Sequence, residues 1–581
     1  MSGDWARRHR RIWPALTALA LALLAPAAAN AQAPPIAPLV TPPVQRVVPA
    51  PTPQVLPPPA PPTASSEPVP PGPPARIDDI GIEGVTVYDP AQVRAQYADL
   101  IGRTVPRERL LAAVESLQTR YRADGWILTT VHGEAERRDG RLIFVIRVAE
   151  GYVSDVKLDG DIGDAGTLAL AILQHLTERR PTNNADLERY LLLVNDIPGV
   201  TASGVLRRRT DSAPGAVELV AQVGLAPFGA QFQYDNRGSA EVGPHEGLLV
   251  GQANAFTRFG TQLQGMFFNT FNREQVFGQV DTTSFLNSEG LKSRLYFGRG
   301  NTQPGGALAG TGFNADLQVA GASLAYPVIR SRRRNLSIDA DIDTYDSLVE
   351  TFLAGGEASE THLRIGRLGA ALDFQDAVVA NLPAANNASL KLSHGFTGFG
   401  ASKNTNILPA RLGNVIDFAK VSGEMTRVQN LVPFGDVQPA LKVSLGGQFT
   451  NDILPPSEEY LLGGTRFGRG FFSGQVAGDR AIGTTIELQF NTGWEDASPF
   501  GPNKRLDVQF YGFFDYGRGY NLVPGSVDRT VDSFGLGVRS NLAPFLYVEL
   551  EGVHRLTTHA SGALAKPDAG YAVFSRVLLQ Y

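Results

Sequence analysis

Residues 336–345 read LSIDADIDTY, and the strict alternation in this stretch decides the fold class. Leu336, Ile338 and Ile342 fall on one side of an extended strand, whereas Asp339 and Asp341 fall on the other, because successive side chains of a strand point to opposite faces. The same alternation recurs in LKSRLYF at 291–297 and in LYVELEG at 546–552. An apolar face toward lipid and a charged face toward a wet interior are typical of a transmembrane β-barrel, although a soluble β-sandwich also alternates.

Length separates these two alternatives. Alternating segments of about ten residues, with Gly, Asn, Asp or Pro between them, continue through residues 228–581, which is too long for one sandwich. No run of 18 apolar residues follows the N-terminal segment, so a transmembrane helix is not expected. The sequence therefore predicts an all-β transmembrane barrel over residues 227–581, with about 16 antiparallel strands.

Upstream of this region, the order strand, helix, helix, strand, strand occurs twice. In the first copy, Asp89-Pro90 forms an N-cap and first helical residue, and Leu110, Leu117 and Tyr121 share one face of a second helix. Two copies of one small unit predict tandem α+β modules at 76–150 and 151–226. A generic αβ pair is the alternative on pattern alone.

The N-terminal 75 residues contain two segments that are not part of these modules. Residues 1–31 combine a basic start, an apolar centre and an Ala-Asn-Ala site, which predicts an export signal. Residues 32–75 hold 18 of the 40 prolines, so this linker is expected to be an extended, unpacked spacer. A segment that lies inside a pore or recruits a partner is the alternative.

The stretch GGTRFGRGFFSGQ at 463–475 places arginines on a backbone rich in glycine. A phosphate cradle would need the Gly-Lys-Ser/Thr ending of a P-loop, which is absent. In LDVQFYGFFDYG at 506–517, Phe513 and Asp515 alternate onto the interior face of a strand. A glycine-rich loop that folds back into the barrel could bring Arg469 to Asp515 as a charge-assisted pair. An ordinary hairpin turn is the alternative.

These motifs resemble those of a known superfamily. The tandem modules are similar to polypeptide-transport-associated (POTRA) domains, and LLLVNDIPGV at 191–200 resembles the second such domain of two-partner secretion transporters. GGTRFGRGF resembles the [VI]RG[YF] tip of the sixth extracellular loop in POTRA–barrel proteins, and FFDYG at 513–517 resembles their F-x-D-x-G strand motif. Gly468 stands where that family carries an aliphatic residue.

Three further stretches resemble the haemolysin-activator and filamentous-haemagglutinin type of two-partner secretion transporter. They are QYDNRGSAEVG at 233–243, AYPVIRSRRRNLSI at 325–338 and GDRAIGTTIEL at 478–488. The resemblance implies that the functional residues of the loop and lumen are Arg469, Gly470, Phe471, Phe513, Asp515, Gly517 and Glu487.

The resemblance also implies a function and a location. The chain is expected to export an unfolded partner protein, bound by its POTRA domains, through a barrel in the bacterial outer membrane, with the modules in the periplasm. Its expected partners are a cargo with an N-terminal secretion domain, outer-membrane lipid and, through a terminal strand that ends at Tyr581, the barrel assembly machinery. A monomer is expected. An assembly insertase and a passive porin are the alternatives.

Other chemistries find little support in the sequence. The chain has no cysteine, and its eight histidines show no metal-ligand spacing. No nucleophile elbow or nucleotide-binding motif is present. The basic stretch RSRRRN at 330–335 reads as a turn beside a barrel strand rather than a nucleic-acid site. We therefore predict no catalytic residue, cofactor, metal or nucleic-acid partner.

Overall fold

The structure, a computed structural model, describes residues 37–41, 74–208, 213–239, 241–352, 356–495, 505–560 and 568–581. The predicted export signal and most of the proline-rich linker lie outside these residues. None of the helices in the described ranges is long and apolar enough to cross a membrane.

The first module is a small mixed sheet covered by helices. Its elements are β1 (Ala75–Ile77), β2 (Asp79–Glu83), α2 (Pro90–Ala95), β3 (Arg103–Val105), α3 (Arg107–Ala123), β4 (Thr130–Arg138) and β5 (Arg141–Ala149). The sheet order is β2-β5-β4, with β2 parallel to β5. Asp89 caps α2 as predicted, because its side chain accepts a hydrogen bond from the Ala91 amide at 2.9 Å. The structure adds β3, a three-residue strand paired with β1 that is too short to show alternation.

A carboxylate at the end of β5 fastens the loop after β2 in the first module. Glu150 accepts hydrogen bonds from the Thr86 hydroxyl, from the Thr86 amide at 2.7 Å, from the Val87 amide at 3.0 Å and from the Tyr121 hydroxyl at 2.7 Å. Burial on its own would raise the pKa of Glu150, but these hydrogen bonds outweigh it and hold the pKa below its ordinary value.

The second module repeats the unit in the predicted order. Its elements are β6 (Tyr152–Asp159), α4 (Ala165–Gln174), α5 (Asn184–Asn195), β7 (Val200–Arg208) and β8 (Ala216–Leu225). The sheet order is β6-β8-β7, which leaves β7 at an edge. Asn183 caps α5 through the Ala185 amide at 2.9 Å.

The remainder of the chain closes into one barrel. Its sixteen strands are β9 (Phe228–Asp235), β10 (Glu246–Ala253), β11 (Gln262–Thr270), β12 (Gln275–Phe285), β13 (Lys292–Thr302), β14 (Asn314–Arg330), β15 (Arg334–Thr351), β16 (Gly356–Asp376), β17 (Ala384–Gly395), β18 (Ala419–Asn430), β19 (Gln438–Thr450), β22 (Arg480–Trp494), β23 (Leu506–Tyr520), β24 (Arg529–Ala543), β25 (Leu546–Arg555) and β26 (Tyr571–Gln580). Neighbours are antiparallel, and β26 pairs with β9 to close the barrel. The predicted fold class is confirmed.

The alternation that predicted the barrel has the predicted physical meaning. Ile342 is 69 % exposed on the outer face, whereas its neighbour Asp343 faces inward and pairs with Arg367 at 2.7 Å. Because β9 directly follows the second module, it begins at the end of the barrel that carries the modules. Strand parity then places the segment between β19 and β22 at the far end.

The second module is docked against the near end of the barrel. Asp196, just after α5, binds Arg330 of β14 in a bidentate ion pair with distances of 2.7 and 2.9 Å. Phe285 of β12 is buried within the hydrophobic core of the second module. Arg330 therefore has a partner in the module, and this part of the basic stretch RSRRRN is an internal contact.

Part of the proline-rich linker packs against the barrel. Residues Ala37–Val40 form a short helix, α1, in which Ala37 and Leu39 are fully buried. The helix contacts β14 and the 3-10 turn of Pro456–Glu458, and Thr302 donates a hydrogen bond to the Leu39 carbonyl at 3.1 Å. For these residues the expectation of an extended, unpacked spacer is wrong, since apolar side chains spaced by the prolines find a surface to cover.

Candidate functional site

The site is built by the long segment between β19 and β22, residues 451–479, which we call the arginine loop. Two short strands, β20 (Tyr460–Leu462) and β21 (Val476–Gly478), pair antiparallel within it, and the chain reverses between them. The Gly463 amide donates to the Phe467 carbonyl at 2.7 Å, and the Gly464 amide donates to the Phe471 carbonyl at 2.9 Å. These hydrogen bonds stabilise the turn.

Gly468 explains why the family-typical aliphatic residue is missing. Its φ of 79° lies in the left-handed region that side-chain-bearing residues avoid. A Cβ at this position would also lie 2.6 Å from a methyl group of Val531 on β24. A bare backbone is thus required both by conformation and by the approach of the loop to the barrel wall.

Arg469 and Asp515 meet as the sequence predicted. Asp515, fully buried on β23, accepts three hydrogen bonds from Arg469: from the backbone amide at 2.8 Å, from Nε at 3.0 Å and from an Nη at 3.1 Å. Such a fork is the strong, planar form of the arginine–carboxylate pair. The Arg469 guanidinium also lies 3.7 Å from the ring centroid of Phe513, within the range of a cation–π contact.

The pair belongs to a larger charged cluster. Arg469 also donates to Glu487 of β22 at 2.5 Å and contacts Glu551 of β25 at 3.5 Å. Arg539 of β24 donates to the second oxygen of Glu487 at 2.8 Å. The cluster therefore alternates cations and carboxylates in a buried site, where an unpaired charge would be costly.

Arg237, in the turn after β9, is a further cation of the cluster. It is 4 % exposed and donates hydrogen bonds to Glu551 and to the Arg469 carbonyl. Its guanidinium lies 4.2 Å from the ring centroid of Phe574 on β26.

The remaining predicted residues surround the tip of the loop. The Gly470 amide lies 3.3 Å from the Ser533 hydroxyl, and its carbonyl accepts from Arg555 at 2.5 Å. Phe471 is fully buried in a cluster that includes Leu462. A Cβ on Gly517 would lie 3.0 Å from Leu462, so this glycine makes room for the loop.

A second set of ion pairs holds the base of the loop. Glu458 forms ion pairs with Arg367 of β16 and with Lys420 of β18, each at 2.8 Å. Asp479 accepts from Arg411 at 2.8 and 3.2 Å. The loop is thereby tied to the wall at its base as well as at its tip.

Sequence reasoning missed Glu551, Arg237, Arg539 and Arg555 as members of the site. The sequence contains a pattern that includes Glu551 and Arg237. Glu551 alternates onto the interior face in LYVELEG, and Arg237 lies within the QYDNRGSAEVG motif. Neither pattern says which interior residue meets the loop. Within the described ranges, no group of His, Asp and Glu side chains is arranged to hold a metal ion.

Residues 311–540 match the model of the family described as haemolysin secretion/activation protein ShlB/FhaC/HecB. This match covers 230 of the 581 residues, all of them in the barrel. The matched range contains all seven residues singled out from the sequence, and it spans the strands on both sides of the arginine loop. No curated protein sequence matches the chain.

Two solved structures share the fold over most of the chain. CdiB from Escherichia coli has a TM-score of 0.69 at 15 % identity, covering 89 % of this chain and 92 % of that chain. CdiB from Acinetobacter baumannii has a TM-score of 0.59 at 15 % identity, covering 88 % and 91 %. At this identity the likeness concerns the fold.

The match to the ShlB/FhaC/HecB family model indicates the function in outline. The chain is a two-partner secretion transporter that exports a partner protein across the outer membrane, and it is not an enzyme. Its barrel lies in the outer membrane and its POTRA modules lie in the periplasm. The far end of the barrel, where the arginine loop begins, is therefore the extracellular end. The predicted transporter is confirmed over the insertase and the porin.

Proposed function

We propose that the second POTRA module captures the unfolded partner by pairing its backbone with the exposed edge of β7. Strand addition recognises an extended chain with little demand on its side chains, which suits a cargo that must stay unfolded. The secretion domain at the N-terminus of the cargo would be the part captured.

The geometry of β7 supports this proposal. One side of β7 pairs with β8, while the other side is the edge of the sheet. The amide and carbonyl of Ala202 turn outward, since both bond the Asn195 side chain at 2.9 and 2.8 Å. By the two-residue period of a strand, Gly204 and Leu206 also present their backbone groups outward. Leu206 is 38 % exposed, so this edge offers apolar as well as polar contact.

Helix α5 lies beside the exposed edge of β7 and forms one side of a groove there. Leu191 of α5 lies against Gly204, and a Cβ there would be 2.9 Å from the leucine methyl group. An added strand would therefore lie between the β7 edge and α5, with Asn195 at the start of the groove.

The test is a proline at an outward amide in the full-length chain. Leu206→Pro removes one outward N–H without removing a β7–β8 ladder bond, whereas Leu206→Ala removes only the side chain. We expect Leu206→Pro to reduce binding of the partner's N-terminal domain about tenfold or more, since an unmade backbone bond is costly. Equal binding by both variants would exclude pairing at this edge. Deleting residues 76–223 should abolish binding while the barrel still folds, and undiminished binding by the barrel would contradict the proposal.

We further propose that the arginine loop shapes the export path through the lumen and that export needs no nucleotide. A cargo that folds outside the cell cannot diffuse back, and the chain carries no nucleotide motif. Vesicles containing the transporter should export cargo without ATP. Export that begins only when nucleotide is added would refute this energy source. The contacts with lipid and with the barrel assembly machinery, and the monomeric state, stay predictions.

A further inference from the structure

The strand pairing that closes the barrel stops halfway along the seam between β9 and β26. Five residue pairs join the two strands, from Gln231 with Gln580 to Asp235 with Arg576. The preceding five residues of β26, 571–575, pair with β25 on their other side, but β9 ends before it reaches them. Among the described residues, the extracellular half of the seam therefore lacks a strand ladder.

A side chain replaces the missing strand. The Asn236 side-chain amide donates to the Val573 carbonyl at 3.1 Å, and its oxygen accepts from the Ser575 amide at 2.8 Å. The two bonds reproduce on one side chain the donor and acceptor that a paired residue would offer.

The next residue connects the seam to the arginine loop. Arg237 lies over Phe574 of β26 and binds Glu551 of β25, both across the seam. It also touches the loop repeatedly: it donates to the Arg469 carbonyl, its Nη1 lies 3.5 Å from the Gly464 carbonyl, and its own carbonyl accepts from Ser473 at 2.8 Å.

We propose that Asn236 and Arg237 are positioning residues that form a clasp, which closes the extracellular half of the seam and couples its closure to docking of the arginine loop. Because Arg237 binds loop and seam at once, release of either one removes contacts that hold the other. Such coupling is reciprocal between the two elements. The proposal does not depend on how the modules recognise cargo.

The test uses the absence of cysteine from the chain. Ser473→Cys, at a position 5 % exposed, becomes a reporter of loop docking when labelled by a maleimide in full-length protein in lipid nanodiscs. Hydrogen exchange of residues 571–576 reports the seam. In the described structure Asn236 bonds the β26 backbone rather than the loop, so an effect of Asn236→Ala on labelling must pass through the seam.

We expect Asn236→Ala to speed exchange at 571–576 and to speed labelling of Ser473→Cys about tenfold, from the loss of two hydrogen bonds. Arg237→Gln should remove this effect of Asn236→Ala on labelling. Asn236→Asp keeps the acceptor but loses the donor. Its exchange and labelling rates should therefore lie between those of the parent protein and those of Asn236→Ala. The matched control is Asn491→Ala, which also loses two hydrogen bonds, one to the Gln438 carbonyl and one from the Gln509 side chain, in the periplasmic half of the wall, and it should change neither signal.

Two results would overturn the proposal. Faster exchange at the seam with unchanged labelling of Ser473→Cys would mean that seam and loop are independent. Unchanged exchange would mean that Asn236 does not close the seam. If Asn236→Ala does not assemble, Asn236→Asp and the reverse measurement, exchange at 571–576 in Arg469→Ala, decide the same question.

Discussion

Replacing Arg469 by alanine should release the arginine loop more than replacing Asp515, the partner with which it forms three hydrogen bonds, by alanine. Without the guanidinium, Glu487 keeps Arg539 and Glu551 keeps Arg237. Asp515 keeps a single hydrogen bond, to the backbone amide of residue 469, and loses the cation that binds it directly. Lys442 still attracts it electrostatically.

The magnitude follows from this arrangement. Leaving one buried charge without its direct partner costs about 3–5 kcal/mol, and the attraction of Lys442 favours the lower part of this range. Asp515→Ala instead leaves Arg469 with Glu487, Glu551 and the Phe513 ring. It loses hydrogen bonds to a charged group, worth about 1.5–3 kcal/mol. Since about 1.4 kcal/mol corresponds to a tenfold change, Arg469→Ala should raise the undocked fraction of the loop by roughly a hundredfold to several thousandfold.

The labelling rate of Ser473→Cys measures that fraction. Arg466→Ala is the matched control, because Arg466 lies on the same loop, is 44 % exposed and pairs only at the surface with Glu424. It should change the rate little. Arg469→Lys should rescue poorly, because a lysine lacks the planar fork that holds both oxygens of Asp515. Secretion should fall with docking, while the barrel still assembles, since its wall strands do not depend on this side chain.

A double-mutant cycle on the labelling rate tests the reasoning. Removing Asp515 in the Arg469→Ala background takes away the stranded carboxylate, so the double variant should be no worse than Arg469→Ala alone. If the two single effects add in free energy, the residues act independently and direct pairing is refuted. A labelling rate for Arg469→Ala equal to that of the parent protein would refute the role of Arg469 in docking.

Three further predictions concern other contacts. Gly468→Ala should destabilise the docked loop by about 2 kcal/mol or more and reduce secretion, because of backbone strain and overlap with Val531. The control Gly525→Ala has a similar φ of 80° but open space around the added Cβ, so it should affect secretion little. Equal effects of the two substitutions on secretion would refute the packing argument. Asp196→Ala should loosen the second module from the barrel by about 1 kcal/mol, seen as faster hydrogen exchange in β14 near Arg330, and unchanged exchange would contradict it. Glu150→Gln should destabilise the first module by about 1–3 kcal/mol at neutral pH, measured by Trp126 fluorescence during urea unfolding. Because the pKa of Glu150 is lowered on folding, its contribution is present above the ordinary carboxyl pKa and is lost as pH falls through the folded value, so the variant should lack this acid-sensitive step.

The parts of the molecule that the sequence predicted are those with a local signature. Strand alternation, the cap at Asp89 and the glycine spacing of the arginine loop each depend on residues close together in the chain. The Arg469–Asp515 pair was accessible for the same reason: one residue lies on a recognisable loop, and the other alternates inward on the strand that receives it.

The neighbours of that pair could not be predicted in the same way. Glu551 faces the interior like many other charged residues of the wall, and its meeting with Arg237 joins positions 314 residues apart. The contact of Asp196 with Arg330 spans 134 residues, and packing of α1 near Thr302 spans 263. The sequence could not predict these contacts, because alternation shows on which face of the wall a residue lies but not its height along the barrel or its angle around it.

The sequence by itself therefore determined that this chain forms two α+β modules and a lipid-facing barrel with an arginine loop. These features follow from the two-residue period of strands, from helix caps and from glycine conformations, which are properties of short segments. Only the tertiary structure decided which charges the loop meets, how the seam is closed above Asp235 and where the second module docks. Those contacts depend on the closure of sixteen strands into one ring, which sets the stagger between neighbours and brings the first strand beside the last.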